Sequence, residues 1–380
     1  MTRASAVWLL AAVVGCGFDP SGSSGGDDGG EDPDGGGGGD PDGGGGGGGD
    51  GGQAAGFRKA ITVPALGGAD QVDFPLYVEI VDTDLMARAR ADGSDIHFTT
   101  AAGQPLDHEL QHWGPGTGRL EAWVRVTLLG GADTVLFVRY GEPDPPLPPD
   151  PADVWSSDFA AVWHLEQLPP GDQTDSLGVR PATPAGGMDD TDLVTGTLGR
   201  ALDLDGGDDM LTFDNPLGGA TAHTVSAWVR QEATGDNDSL MVLGNGACGE
   251  ARWLHTRFDQ DTVAVGFYCD DWPDSGADIQ GDGWTLVHWT YADGASRLYV
   301  DGAPVGGPFT HDGTPDTQGA EGYIGNVPDS AGFGSNMGLN GSVDEVRIAT
   351  RLRAPAWIAA EFANQSAPAS FYTVGPEEAL

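Results

Sequence analysis

The sequence predicts an all-β protein: a small β-sandwich, then a larger one, carried behind a disordered Gly/Asp-rich N-terminal tether. Three observations lead there. Residues 283–302, GWTLVHWTYADGASRLYVDG, place two runs of aromatic and β-branched residues around a turn-rich centre, which is a hairpin pattern. In residues 74–81, Leu76, Val78 and Ile80 fall on one face, and in residues 119–127 Leu120, Ala122, Val124 and Val126 do the same. Such period-two alternation marks half-buried antiparallel strands. The third is composition: 63 of 380 residues are glycine, well above average usage, which signals loops and a low-complexity tract.

The first element is an address. Arg3 supplies a positive start and residues 6–14 (AVWLLAAVV) a short apolar core. That core is about half the roughly twenty residues a spanning helix needs, so it reads as a signal peptide over 1–15. It ends Val13-Val14-Gly15-Cys16, which resembles the bacterial lipobox. The resemblance implies cleavage before Cys16 and acylation of that cysteine, and several buried acyl chains anchor durably. An ordinary secretory signal with an incidental cysteine is the alternative. Residue 17 is Gly, which by the same resemblance points to the outer membrane or cell surface of a two-membrane bacterium.

Residues 16–56 form the tether. Gly, Asp, Pro and Ser dominate it, so it buries too little apolar surface to offset the entropy of ordering. The whole chain carries 17 basic and 58 acidic residues, a formal charge of −41, with Lys59 its only lysine. Such a surface repels phosphate backbones, which excludes nucleic acid as a partner. Membrane contact then requires a covalent anchor or bridging cations.

Residues 57–141 contain six strand-like runs, at 57–63, 74–81, 95–99, 106–113, 119–127 and 133–140, and one helical turn at 83–91 capped by Asp82 or Thr83. They form the small β-sandwich. The segments Lys59-Ala-Ile-Thr-Val63, Asp73-Phe-Pro-Leu-Tyr-Val78, Pro105-Leu-Asp-His-Glu109 and Val138-Arg-Tyr-Gly141 resemble a bacterial family known as domain of unknown function 2341, which implies no activity. Asp92, Asp95 and Glu109 read as turn-formers and a surface residue rather than a carboxylate site. Residues 142–153, rich in proline, read as a stiff spacer between the domains.

Residues 154–380 are long enough for a two-sheet jelly roll. Three motifs carry a resemblance to the LamG-like, or concanavalin A-like lectin/glucanase, jelly roll: Gly199-Arg-Ala-Leu-Asp-Leu-Asp-Gly206, the Leu298-Tyr-Val-Asp-Gly302 hairpin, and Gly341-Ser-Val-Asp-Glu-Val-Arg-Ile348. The end of the chain resembles the tail that closes such domains. Pro355 suits a first helical position, and Ile358 and Phe362 share a face able to dock on the sandwich.

Cys248 and Cys269 flank an expected hairpin about Asp259-Gln260-Asp261. Counting outward from Phe258 opposite Thr262 sets Cys269 opposite Ala251, within disulfide reach of Cys248. Two buried free thiols are the alternative. By resemblance, Asp205, Asp209 and Asp344 match acidic positions that hold calcium in some relatives, and hard calcium takes clustered carboxylate and carbonyl oxygens. Asp-Gly turns also form without metal. Trp272, in a loop, is the candidate for stacking on a sugar; packing over the disulfide is its other reading.

Glucanases of this fold carry Glu-x-Asp-x-Glu or Glu-x-Asp-x-x-Glu on one strand, and neither pattern occurs here. Asp344 and Glu345 are adjacent and should point to opposite faces of a strand. The expectation is a non-catalytic, lipid-anchored surface protein that binds carbohydrate or a protein ligand, with calcium as candidate cofactor. A structural envelope spacer is the alternative, and a glycan-active enzyme a lesser one.

Overall fold

The computed structural model describes residues 56–380 except 157, 234–237, 258–261, 273, 282, 314 and 334–336. The expected signal peptide, Cys16, the expected tether up to residue 55 and the expected turn at Asp259–Asp261 lie outside the described residues. The rest is nearly all β, as expected, in four antiparallel sheets.

The first sandwich pairs a three-stranded sheet (His108–Gly114, Arg119–Leu128, Gln71–Val81) with a five-stranded one. The apolar face read from the sequence is buried, with Leu76, Val78, Leu120, Ala122 and Val124 fully so. The other face is not open: Tyr77, Glu121 and Trp123 are buried as well, because the second sandwich covers that side. Asp82 is the N-cap of helix Thr83–Arg88, accepting from the N–H groups of Asp84 and Leu85. Lys59 is buried and pairs with Asp82 and Asp84, so the single lysine ties the first strand to the helix start.

The five-stranded sheet is completed from the far end of the chain. Thr373–Ala379 pairs antiparallel with Phe57–Val63, which also pairs with Thr134–Tyr140. The sequence reading placed all of 154–380 in the jelly roll; the pairing puts the last strand in the first sandwich instead. Its sequence, TVGPEEA, contains Pro and exposed positions, as suits an edge strand.

The second sandwich is a jelly roll. One sheet runs Leu193–Thr195, Arg200–Asp205, Asn340–Ala349, His223–Ala233, Thr285–Ala292, Ala295–Val300, Ala303–Thr310, with Phe159–Trp163 paired to Asn340–Ala349. The facing sheet runs Asp270–Asp271, Thr262–Phe267, Ala251–Arg257, Ser239–Gly244, Glu321–Ile324, Met210–Asp214, Thr183–Ala185. The hairpin within residues 283–302 closes by a two-residue turn, Asp293-Gly294, with φ of 52° and 78°. Asp301-Gly302 repeats the device at 50° and 75°. Positive φ at both central residues matches the twist of the flanking strands.

The two sandwiches share apolar surface. Val225, Ala227 and Val229 face the jelly-roll core, whereas Trp228 belongs to the cluster that holds Leu76, Trp123 and Ile358. The helix Pro355–Ser366, with Pro355 at its start, brings Trp357, Ile358 and Phe362 into that same cluster. The proline-rich stretch does not hold the sandwiches apart. It ends in a 3-10 turn, Pro151–Asp153, that delivers Val154 and Trp155 directly into the shared core. All described residues fall in one compact unit. No helix among them is long and apolar enough to cross a membrane.

Candidate functional site

A cleft of about 480 Å³ lies at the edge of the seven-stranded sheet where Asp270–Asp271 pairs with Thr262–Phe267. Its wall is the Cys248–Cys269 disulfide, with S–S of 2.04 Å, and both half-cystines are exposed. The sequence expected this bridge, but through a register one residue looser. Arg257, not Phe258, faces Thr262, and the same shift brings Cys269 one position nearer Cys248.

Tyr268, Asp270 and Asp312 line the cleft. The Tyr268 ring is half-buried, packed near Trp253 and Phe333 with centroids at 5.7 and 5.2 Å, and its hydroxyl donates to the Phe333 carbonyl. Asp270 Oδ2 accepts the Gly313 N–H at 3.0 Å, and the Asp316 N–H donates to Gly249 O, so the two loops are stitched together. Asp312 is exposed.

Below the cleft, Ser296, His311 and Asp270 form a chain that resembles a hydrolytic triad. Burial lowers the His311 pKa, so the ring is neutral at pH 7. Its Nδ1–H then donates to the Asp270 carbonyl at 2.8 Å, and its Nε2 accepts from the Ser296 hydroxyl at 2.7 Å. Ser296 is fully buried and also accepts the Trp289 indole N–H at 2.9 Å. A hydroxyl so enclosed reaches no substrate; the chain fixes the cleft floor.

Asp205, Asp208 and Asp209 form a second cluster, with carboxylate oxygens within 4.8 Å of one another. Burial first, then repulsion from Asp205, pushes the Asp209 carboxyl up to about 6. The Asp205 N–H donates to Asp209 Oδ2 at 3.1 Å, and the Gly207 N–H to Asp205 Oδ1 at 2.7 Å. Three hard oxygen donors in one turn fit a divalent cation of the calcium type better than a soft metal.

Asp344 does not join them. Asn340, four residues before it, is the residue opposite Asp205. The Asp344 carboxylate instead accepts the Thr197 and Leu198 N–H groups at 2.8 and 3.0 Å in a fully buried position. Burial, then the neighbouring Glu345 charge, raises its pKa well above the carboxylate range. Trp272 also lies apart from the cleft. Its ring stacks on Phe309 at 6.0 Å and 8°, packing against the edge of the jelly-roll core.

The expectation that Asp344 and Glu345 point to opposite faces fails because the strand bulges between them. Trp228 faces Asp344 and Ser226 faces Arg347, so Glu345 and Val346 together oppose Ala227. Glu345 takes φ of 51°, a left-handed value costly for a side chain of this kind. The bulge aims it at the junction between the sandwiches. There His164 Nδ1 lies 2.7 Å from Glu345, Arg347 donates to Glu345 and to Glu361 at 2.7 and 2.6 Å, and His288 contacts Glu361 at 2.9 Å.

From the first sandwich, Glu109 accepts the Trp155 indole N–H and the Ser176 hydroxyl and lies 3.4 Å from His164 Nε2. Glu109 is therefore a junction residue, not a surface one. The Arg347 guanidinium lies over the Trp123 and Trp155 rings at 4.3 and 4.9 Å. This network was not found from sequence; its one signal was the Asp-Glu-Val-Arg run in the closing strand.

Residues 205–359 match the family model described as the concanavalin A-like lectin/glucanases superfamily. These residues form a concanavalin A-like domain. Among solved structures, domain 4 of AbnA, an extracellular arabinanase from Geobacillus stearothermophilus solved with arabinotriose, is similar at 19% identity and TM-score 0.42, covering 54% of this chain and 98% of that one. The binding domain of Paraclostridial Mosquitocidal Protein 1 is similar at 13% and 0.40, covering 53% of this chain and 51% of that one. Trypanosoma rangeli sialidase, with a difluorosialic acid covalent intermediate, is similar at 15% and 0.42, covering 63% and 42%. The chain thus spans about half or less of the latter two. No curated protein matches it.

Proposed function

We propose that this chain is a lipid-anchored, non-catalytic surface protein whose concanavalin A-like domain binds saccharide in the cleft beside the disulfide. The observation that carries the reading is the meeting of Tyr268 with the Asp270 and Asp312 carboxylates in one opening of about 480 Å³. An aromatic ring edge and fixed hydrogen-bond acceptors are the means by which a shallow site holds a hydroxyl-rich ligand. The enclosed Ser296 supports a non-catalytic role. Asp205, Asp208 and Asp209 would hold a calcium ion whose part is to rigidify the Gly206–Gly207 turn. Cys16 would carry the lipid, and the tether would hold both sandwiches clear of the membrane at the outer membrane or cell surface. The test is a glycan array probed with the whole protein in calcium and in chelator, with binding lost on substitution in the cleft.

The joined sandwiches favour a second reading, a rigid envelope spacer without small-molecule ligand. Buried ion pairs and a returning C-terminal strand make the two domains one body, which suits a role in holding a distance. An array without hits, together with intact membrane anchoring, would favour it.

A further inference from the structure

A separate cavity of about 250 Å³ opens where the first sandwich meets the segment entering helix Pro355–Ser366. Arg353 lines it and is 5% exposed. Its guanidinium lies between the Phe159 and Trp357 rings, at 4.5 and 4.3 Å, while its Nε and Nη2 have no hydrogen-bond partner among the described residues. The carboxylate paired with it, that of Asp158, is 3.9 Å away and is itself bonded to Arg351 at 2.6 Å. Burial lowers the Arg353 pKa to about 10, so it stays charged at neutral pH. A buried cation with unused donors is costly until an acceptor satisfies it.

Three further features converge on the same opening. The helix starts at Pro355 with Ala354 as N-cap and no side-chain cap, and Ala354 and Trp357 line the cavity. The first N–H groups of a helix have no partner within it and favour an anion. Opposite, the strand register slips between Gln71 and Phe74, and Asp73 takes φ of 55°, so a bulge pushes Val72 and Asp73 to the rim. Val72 and Leu352, 60% and 47% exposed, give that rim an apolar lip.

We propose that this cavity seats a uronic-acid unit of a saccharide. Arg353 and the open helix start take the carboxylate, because a guanidinium fork matches it bidentately. Asp70 and Asp73 accept ring hydroxyls, and Val72 and Leu352 cover the sugar's C–H face. The opening is smaller than the roughly 300–1,000 Å³ of drug-sized sites, which limits the occupant to about one sugar unit. The proposal extends the saccharide-binding reading but uses none of the cleft residues, so the two fail separately.

The experiment is calorimetric or saturation-transfer titration of the whole protein with free glucuronate, glucose and propionate. Glucuronate should bind, with glucose and propionate each at least roughly tenfold weaker because each lacks one half of the recognition. Arg353→Lys should lose glucuronate binding. Leu352→Glu, at an exposed position, should lose it with an unchanged melting temperature, which guards against a folding defect in the first variant. Asp312→Asn, in the cleft, should keep it. Wild-type protein that ignores glucuronate, that binds glucose or propionate equally, or that tolerates Leu352→Glu would overturn the proposal. Neutral-glycan binding lost in Asp312→Asn would leave the cleft reading standing whatever glucuronate does.

Discussion

His164 Nδ1 donates to the Glu345 carboxylate across 2.7 Å, joining the residue after the first jelly-roll strand to a bulged residue of the last. Burial opposes protonation of His164, but Glu345 and Glu109 outweigh it and hold the imidazole well above its usual range. Burial likewise opposes ionisation of Glu345, and His164 and Arg347 outweigh it. His164→Ala removes the cation that two carboxylates share, leaving Glu345 with Arg347 alone and Glu109 with the neutral donors Trp155 and Ser176, and should cost about 3 kcal/mol. Chemical denaturation at pH 6 reads the loss.

The same shifts set a pH profile. His164 has its folded pKa raised above the unfolded 6.5, so its contribution is complete below pH 6.5 and is lost as pH rises through the folded value. Glu345 and Glu361 are depressed, Glu361 to about 2 against 4.5 unfolded, so theirs is complete above 4.5 and is lost as pH falls through the folded values. These three groups together favour about pH 4.5 to 6.5, while the raised Asp344 adds to the fall on the alkaline side. His164→Ala should lessen that fall and, because His164 also holds Glu345 down, weaken the acid side. Denaturation midpoints from pH 3 to 9 check this.

Asp344 should behave as a neutral group. Its raised pKa means folding costs stability above the unfolded 3.8, so Asp344→Asn, which has no charge to lose, should stabilise the protein at pH 7 and make little difference near pH 4. Asp344→Ala leaves the Thr197 and Leu198 N–H groups buried without acceptors and should cost about 2–3 kcal/mol. Thermal melts of the two variants separate them.

Calcium, if it binds Asp205, Asp208 and Asp209, should raise the melting temperature in a way that Asp209→Asn abolishes and Asp344→Asn leaves intact. A hundredfold excess over Kd gives about 2.7 kcal/mol. Since the Asp209 carboxyl is held up to about 6, binding displaces a proton and the shift should be larger at pH 7.5 than at pH 5. Equal melts in chelator and calcium at pH 7.5 would sink this.

Much of the fold was legible, and for definite reasons. Leu76, Val78 and Ile80 recur at every second position, as do Leu120, Ala122 and Val124, and that period reports a buried side of a strand. It does not report what covers that side. Trp228 lies on a jelly-roll strand yet belongs to the junction, and Glu109 reads as surface from sequence because a lone carboxylate on a strand gives no sign of a histidine from another domain. Thr373–Ala379 was missed as a strand because its polar sequence has no apolar face. The candidate site was less legible still. Asp205 and Asp209 meet because they share one turn, whereas Asp344 depends on a register four residues away, and Tyr268 and Asp312 are brought together only by the loops.

Anchoring by Cys16 predicts that Cys16→Ser moves the protein from the membrane fraction to the soluble one. Mass spectrometry of the mature N-terminus should find acyl chains on Cys16, and a free thiol there would contradict the anchor.

The most direct measurement of the central claim is the glycan array probed with wild-type protein and with Asp312→Asn, an exposed substitution that leaves the fold intact. The wild type should bind a discrete set of glycans and the variant should lose those signals, at unchanged melting temperature. No bound glycan, or identical profiles for the two proteins, would contradict saccharide binding in the cleft between Tyr268 and Asp312.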